Sequence, residues 1–141
     1  MSRTSLEELI FLIFSAGRLI REQVGATITV PYLHLATLRY VAENKQPLMR
    51  EIAQYLHIAA PSATSLINAL VKSGQIKRIA DHSDRRIVRL EITAKGQKAL
   101  DDGMRQKQES LQKLIKGLGD HEREQLKNIL EKLMRLSTER Q

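Results

Sequence analysis

Between Leu6 and Val24 apolar residues recur at Leu6, Leu9, Ile10, Ile13, Gly17, Ile20 and Val24, the spacing of one helical face. Phe11, Leu12, Phe14 and Leu19 add a second apolar face to the same segment. A helix apolar on two sides must be covered on both, by its own domain and by another subunit. Gly25 to Pro31, rich in β-branched residues, predicts a break and an extended connection. Tyr32 to Glu43 predicts a second helix with Leu35, Leu38, Val41 and Ala42 inward, and Asn44-Lys45-Gln46-Pro47 a turn.

Two shorter helical patterns follow. Met49–Leu56 turns Ile52, Ala53 and Leu56 inward; Ala60–Ser73 turns Ala63, Leu66, Ile67, Leu70 and Val71 inward and stops at Gly74. The period then changes. Residues 75–79 and 87–92 alternate, separated by the polar stretch Ala80 to Arg86, which predicts a β-hairpin with a basic loop. Thr93 can cap a long helix from Ala94 toward Lys116, which Gly117-Leu118-Gly119 interrupts. Asp120 opens a last helix, with Glu122 and Glu124 favouring its N-terminus and Leu126, Ile129, Leu130, Leu133 and Leu136 forming an apolar stripe. The expected fold class is mainly α with one small β-hairpin (α+β).

Composition narrows the class. The chain has 141 residues, 42% of them hydrophobic, with no cysteine and a net charge of +7. That length suits one domain with a short helical extension, and the lack of cysteine rules out disulfides, thiolate metal sites and cysteine nucleophiles. No stretch reaches the roughly 18 apolar residues that span a bilayer. Leu9 to Phe14 imitates the core of a signal peptide, but Glu7 and Glu8 stand where a basic region belongs and no A-x-A site follows. The expectation is a cytoplasmic protein without a membrane partner. The charge is uneven: residues 39–100 hold eleven basic and five acidic side chains, whereas the segments on either side are close to neutral. A local excess of this kind suits a polyanion, and it equally suits a solvated charged surface.

The segment 49–73 carries the most specific local signal. Two short helices meet through a turn at His57-Ile58-Ala59; small Ala53 allows a close crossing, and Ile52, Leu56, Ile58 and Ile67 fill the wedge. This is the logic of a helix-turn-helix, whose second helix offers its outer face to a major groove. That face would show Pro61, Ser62, Thr64, Ser65, Asn68 and Lys72, short groups able to meet base edges or phosphates. A helical hairpin in any bundle uses the same pattern. The hairpin beyond it adds Lys77, Arg78, Arg85, Arg86 and Arg89, a mobile basic finger beside the second helix. Together they read as a winged helix-turn-helix, with Arg85 or Arg86 laid along the narrow minor groove. Asp84 can also pair with Arg86 and stiffen the loop, a role compatible with DNA contact.

The runs Gly74-Gln75-Ile76-Lys77-Arg78, Asp84-Arg85-Arg86 and Leu90-Glu91-Ile92-Thr93-Ala94-Lys95-Gly96 resemble the signature of MarR-type transcriptional regulators. The resemblance runs over essentially the whole chain. It implies a winged helix-turn-helix DNA-binding domain at 32–96, flanked by an N-terminal dimerisation helix and connection at 1–31 and C-terminal dimerisation helices at 97–141. It implies a homodimer on pseudo-palindromic double-stranded DNA, and in many members repression relieved by a ligand. Three departures stand out. His57 occupies a turn position often held by glycine; Ala59 replaces the usual Ser/Thr cap, with Pro61 in the first turn; and without cysteine the thiol-based oxidant-sensing branch is excluded.

The same resemblance implies a crevice for a small phenolic or anionic effector, to which Tyr32 contributes, with Phe14, Arg18 and His34 lining the same space. Tyr32 and Phe14 equally suit plain core, and Arg18 a solvated helix surface. The histidines at 34, 57, 82 and 121 show no metal-ligand spacing, and Asp81-His82-Ser83-Asp84 is a polar turn. No metal and no cofactor is expected. No catalytic motif assembles either, so the chain is not read as an enzyme. The competing reading is a helical protein-interaction module whose winged domain does not read DNA.

Overall fold

A computed structural model describes residues 4–27 and 30–139 of the chain. Among these residues six helices and one hairpin follow in the order α1 (Leu6–Thr27), α2 (Tyr32–Glu43), α3 (Met49–Leu56), α4 (Ala60–Lys72), β1 (Ile76–Ala80), β2 (Val88–Ile92), α5 (Ala94–Ile115) and α6 (Asp120–Thr138). The chain is mainly α with one antiparallel hairpin, as its periodicity predicts. One boundary differs: α1 runs through Gly25 to Thr27 instead of breaking at Gly25. A glycine costs a helix about 1 kcal/mol, and burial of Val24 against the rest of the chain offsets this. The expected extended connection falls partly on residues 28 and 29, outside the described residues.

The core lies where α2, α3, α4, the hairpin and the start of α5 meet. Leu38, Ile52, Ile67, Leu70 and Leu90 are completely buried, with Leu35, Val41, Leu66, Ile76 and Leu100 around them. Each side chain of this size contributes roughly 1.5–3 kcal/mol on burial, enough to fix the two short helices against each other. Leu56 and Ile58 pack on the edge of this cluster, whereas Ala42, expected to face inward with Val41, is exposed.

Two glycines of α5 set how closely it approaches its neighbours. A Cβ at Gly96 would sit 2.0 Å from the Gln75 carbonyl oxygen, and one at Gly103 would sit 2.6 Å from Cδ1 of Leu35. Thr93 caps α5: its Oγ1 accepts from the Gly96 amide at 3.1 Å and donates to the Gly74 carbonyl at 2.5 Å. The Thr93 amide donates to the Gln75 carbonyl at 3.1 Å. The Thr-Ala-Lys-Gly run therefore ties the end of the hairpin to the end of α4, with Gly74 at φ 76° making the turn between α4 and β1.

The two ends of the chain behave differently from the centre. In α1, which packs on α5, Leu6, Ile10, Phe11, Leu12, Ile13, Phe14 and Leu19 are at least half exposed. In α6 no residue is buried, and the stripe Leu126, Ile129, Leu130, Leu133 and Leu136 lies open together with Met134. Among the described residues no helix is long and apolar enough to cross a membrane.

Candidate nucleic-acid interface

The turn between α3 and α4 is tight because His57 adopts the left-handed conformation, with φ 53° and ψ 45°. A non-glycine residue carries a strain of roughly 1–2 kcal/mol there, and in return the turn sets the angle between the two helices. The Ile58 amide donates to the Ala53 carbonyl at 3.1 Å to close the turn. Ala59 precedes α4 in an extended conformation with no side-chain cap, and Pro61 lies in the first turn.

With Ala63, Leu66, Ile67 and Leu70 buried, the opposite face of α4 presents Pro61, Ser62, Thr64, Ser65, Asn68 and Lys72, none of them buried. Two of them are already engaged. Thr64 Oγ1 donates to the Ala60 carbonyl at 3.0 Å, and Oδ1 of Asn68 accepts from Nη2 of Arg78. Lys77 and Arg78 are exposed on β1, next to α4. Lys77 pairs with Glu91 across the hairpin at 3.1 Å, and this ammonium, with Gln46, holds the Glu91 carboxyl below its usual range.

The hairpin loop is internally braced. The Asp84 carboxylate accepts from the Arg86 amide, Nε and Nη2 at 3.0, 3.1 and 3.0 Å. This guanidinium contact lowers the Asp84 pKa and raises that of Arg86. Arg85 next to it is exposed and forms no ion pair among the described residues. The Asp81 carboxylate accepts from the Ser83 and Asp84 amides at 3.0 and 3.1 Å and from Nε of Arg89, the last being the main cause of its lowered pKa.

Arg89 thus does not belong to a mobile basic finger. Its Nη1 donates to the Gln46 carbonyl at 2.9 Å, and the adjoining Leu90 amide donates to the Pro47 carbonyl at 2.9 Å. Leu48 bridges Arg89 as an extra strand position, so the base of the hairpin is sewn to the α2–α3 connection. Sequence reasoning passes over Asp81 as a polar turn residue. Its spacing to Ser83 and Asp84 is the available signal, since an aspartate commonly accepts from the amides two and three residues on.

The candidate effector residues separate. Tyr32 lines two clefts, one of about 90 Å³ with Leu35, Arg39, Tyr55, Met104 and Lys107, the other of about 130 Å³ with Ile20, Val24, Val30 and Leu111. Phe14 is largely exposed, Arg18 pairs with Glu22 at 3.0 Å on the surface of α1, and His34 is half-buried; none of the three lines either cleft. Arg39, Tyr55 and Lys107 stand there instead, which the sequence does not suggest. Arg39 is held by Glu43 at 2.9 Å, which raises its pKa. Among the described residues no three His, Asp or Glu side chains gather to hold a metal ion.

Residues 28–87, which take in α2, the helix-turn-helix, β1 and the hairpin loop, match the sequence model of the MarR family. Over those residues the chain is similar to the MarR family. Its similarity extends beyond that segment. It is 26% identical over 118 residues to the uncharacterised HTH-type transcriptional regulator YsmB of Bacillus subtilis, covering 84% of this chain and 78% of YsmB. A MarR family protein of Bacillus stearothermophilus has the same fold, with a TM-score of 0.81 at 18% identity over 98% of this chain and 99% of that one. The Staphylococcus aureus MepR–DNA complex gives a TM-score of 0.67 at 22% identity, covering 89% of this chain and 95% of MepR. In this MarR fold the signature residues Gly74, Thr93 and Gly96 build the joint between α4, the hairpin and α5, and Asp84 and Arg86 brace the loop.

Proposed function

We propose that the chain is a homodimeric transcriptional regulator that reads pseudo-palindromic double-stranded DNA, acting as a repressor. The observation that carries this is one exposed polar face, Ser62, Ser65, Asn68 and Lys72 of α4, held against the exposed Arg78 of a hairpin whose loop carries the exposed Arg85 and Arg86. A helix held out by its buried face enters the major groove, while the loop cations meet phosphates or the minor groove. That MepR has been captured with DNA supports the same docking here. In this reading residues 32–96 form the DNA-binding domain, and residues 1–31 and 97–141 supply the dimer interface. The open apolar faces of α1 and α6 support that division.

Two-fold symmetry then sets the half-sites about 34 Å apart, one helical turn of DNA. A small phenolic or anionic effector held near Tyr32, among Arg39 and Lys107, would release the DNA. Selection of bound duplexes from a random pool at physiological salt tests the function. Enrichment of an inverted repeat is expected; binding without enrichment would leave a non-specific, charge-driven DNA-binding protein, and no binding would favour a helical interaction module. Release of the selected duplex by aromatic carboxylates, weakened in Tyr32→Phe, tests the effector.

A further inference from the structure

We infer that Arg78 is a positioning residue that fixes which end of the Asn68 carboxamide faces DNA, so that α4 reads a hydrogen-bond acceptor at one base and rejects cytosine there. The inference rests on the DNA-reading function proposed above. Asn68 stands on the exposed side of α4 between the buried Ile67 and Leu70, so its rotation about the helix is set by the core. Its amide orientation is a separate matter. The accepting oxygen and donating nitrogen of an asparagine have nearly the same shape, and an unrestrained side chain offers either.

Arg78 removes that freedom. A guanidinium has donors only, so the atom it holds must be Oδ1, and the contact in the structure is Nη2 of Arg78 to Oδ1 of Asn68. Among the described residues Arg78 forms no ion pair, unlike Lys77 beside it, so its charge is available to Asn68. A charge-assisted bond of this kind is roughly twice as strong as a neutral one. The short turn through Gly74 places β1 directly after α4, which is what lets a strand residue reach back over the helix.

With its oxygen taken, Asn68 turns two N–H donors outward. These suit N7 of a purine, O6 of guanine or O4 of thymine, whereas cytosine offers only its N4 donor to the major groove. Donor against donor leaves both without a partner once water is expelled. Without Arg78 the carboxamide rotates, its oxygen accepts from cytosine N4, and the exclusion disappears.

The test compares base preferences of the full-length wild type, Asn68→Ala, Arg78→Ala and the double variant, by duplex selection followed by titration of single-base variants. Asn68→Ala locates the base pair that Asn68 reads. There the wild type should disfavour cytosine by roughly five- to ten-fold. Arg78→Ala should lose most of that factor while preferences elsewhere persist, which also shows that the variant is folded. The double variant should match Asn68→Ala at this position. An equal loss of affinity for all four bases in Arg78→Ala would make Arg78 a phosphate contact and overturn the inference, as would an Asn68→Ala profile identical to wild type. No enrichment by the wild type defeats the DNA-reading function and the inference with it; enrichment with the cytosine penalty intact in Arg78→Ala defeats the inference alone.

Discussion

Arg89 on β2 grips the Asp81 carboxylate just beyond the end of β1 with one nitrogen and the Gln46 carbonyl with another, the latter at 2.9 Å. One side chain therefore joins the hairpin to itself and to the α2–α3 connection. Because it is committed to this joint, Arg89 should act on DNA binding only through the hairpin's order. In Arg89→Ala the amides of residues 81–87 should exchange with solvent roughly ten-fold faster while those of α4 keep their protection, as expected when about 1.4 kcal/mol of local order is removed. Affinity for DNA should fall with the salt slope nearly unchanged. A slope reduced by about one would instead show Arg89 meeting a phosphate directly.

The acids of the hairpin make its order pH-dependent. Asp81 and Asp84 both have pKa values lowered below 3.8 by their arginines, and Glu91 is lowered by Lys77. A carboxyl whose pKa is depressed in the folded chain stabilises it fully above the unfolded value and loses that contribution as pH falls through the folded one. Hairpin order should thus be constant from neutral pH down to about 5 and fall progressively below it. Amide chemical shifts of residues 81–87, followed from about pH 6 to about pH 2.5, check this across the carboxylate range. In Asp81→Asn the step should shrink and the hairpin should be looser already at neutral pH.

Gly96 marks a tight joint between α5 and the turn that follows α4. A methyl group there would drive into the Gln75 backbone carbonyl, 2.0 Å away, and backbone yields less readily than a side chain. Although alanine favours helices by about 1 kcal/mol over glycine, Gly96→Ala should destabilise the chain by about 1–3 kcal/mol, the usual cost of overpacking. Urea denaturation measures it; an unchanged or raised midpoint would mean α5 can shift without cost.

Much of this architecture is legible from spacing alone. Leu35, Leu38, Ile52, Ile67 and Leu70 announce their burial by helical period, and the alternation at 75–79 and 87–92 announces the hairpin. What spacing does not carry is which polar atoms pair. The sequence offers Arg78, Arg85, Arg86 and Arg89 as one basic cluster in which Asp84 can pair with Arg86; the structure bears out that pair, gives Arg78 to Asn68 and Arg89 to Asp81 and Gln46, and leaves Arg85 without an ion pair among the described residues. The Asn68 and Gln46 contacts cross from one element to another, so local pattern cannot supply them. Spacing also ends α1 too early, because glycine is only a mild breaker when the preceding turn is packed.

The stripe of α6 supplies the clearest test of assembly. Leu130 and Leu133 are each about half exposed and neither belongs to the buried core of its own chain, so charge there should leave that core intact. Across a subunit interface, an unpaired carboxylate in an apolar seam costs several kcal/mol. Leu130→Asp and Leu133→Asp should therefore give folded monomers by sedimentation where the wild type gives dimers. Dimers of unchanged stability in both variants would assign the stripe to some other partner.

Arg85 and Arg86 are neighbours of equal formal charge, yet they should not contribute equally to DNA binding. Arg86 is neutralised by a two-pronged contact to Asp84, and to reach a phosphate it must either break that contact or carry the aspartate's repulsion with it. Arg85 has no ion pair among the described residues and is placed to displace a counterion. Every phosphate that a variant ceases to neutralise lowers the slope of log affinity against log salt by about 0.9. Arg85→Ala should approach that figure in each half-site, and Arg86→Ala should fall well short of it. Asp84→Asn should raise non-specific affinity by releasing Arg86, while loosening the loop that aims it. Titrations of wild type and the three variants across a salt series decide the point: equal slopes for Arg85→Ala and Arg86→Ala would show that DNA breaks the Asp84 contact and that the brace serves only the free protein.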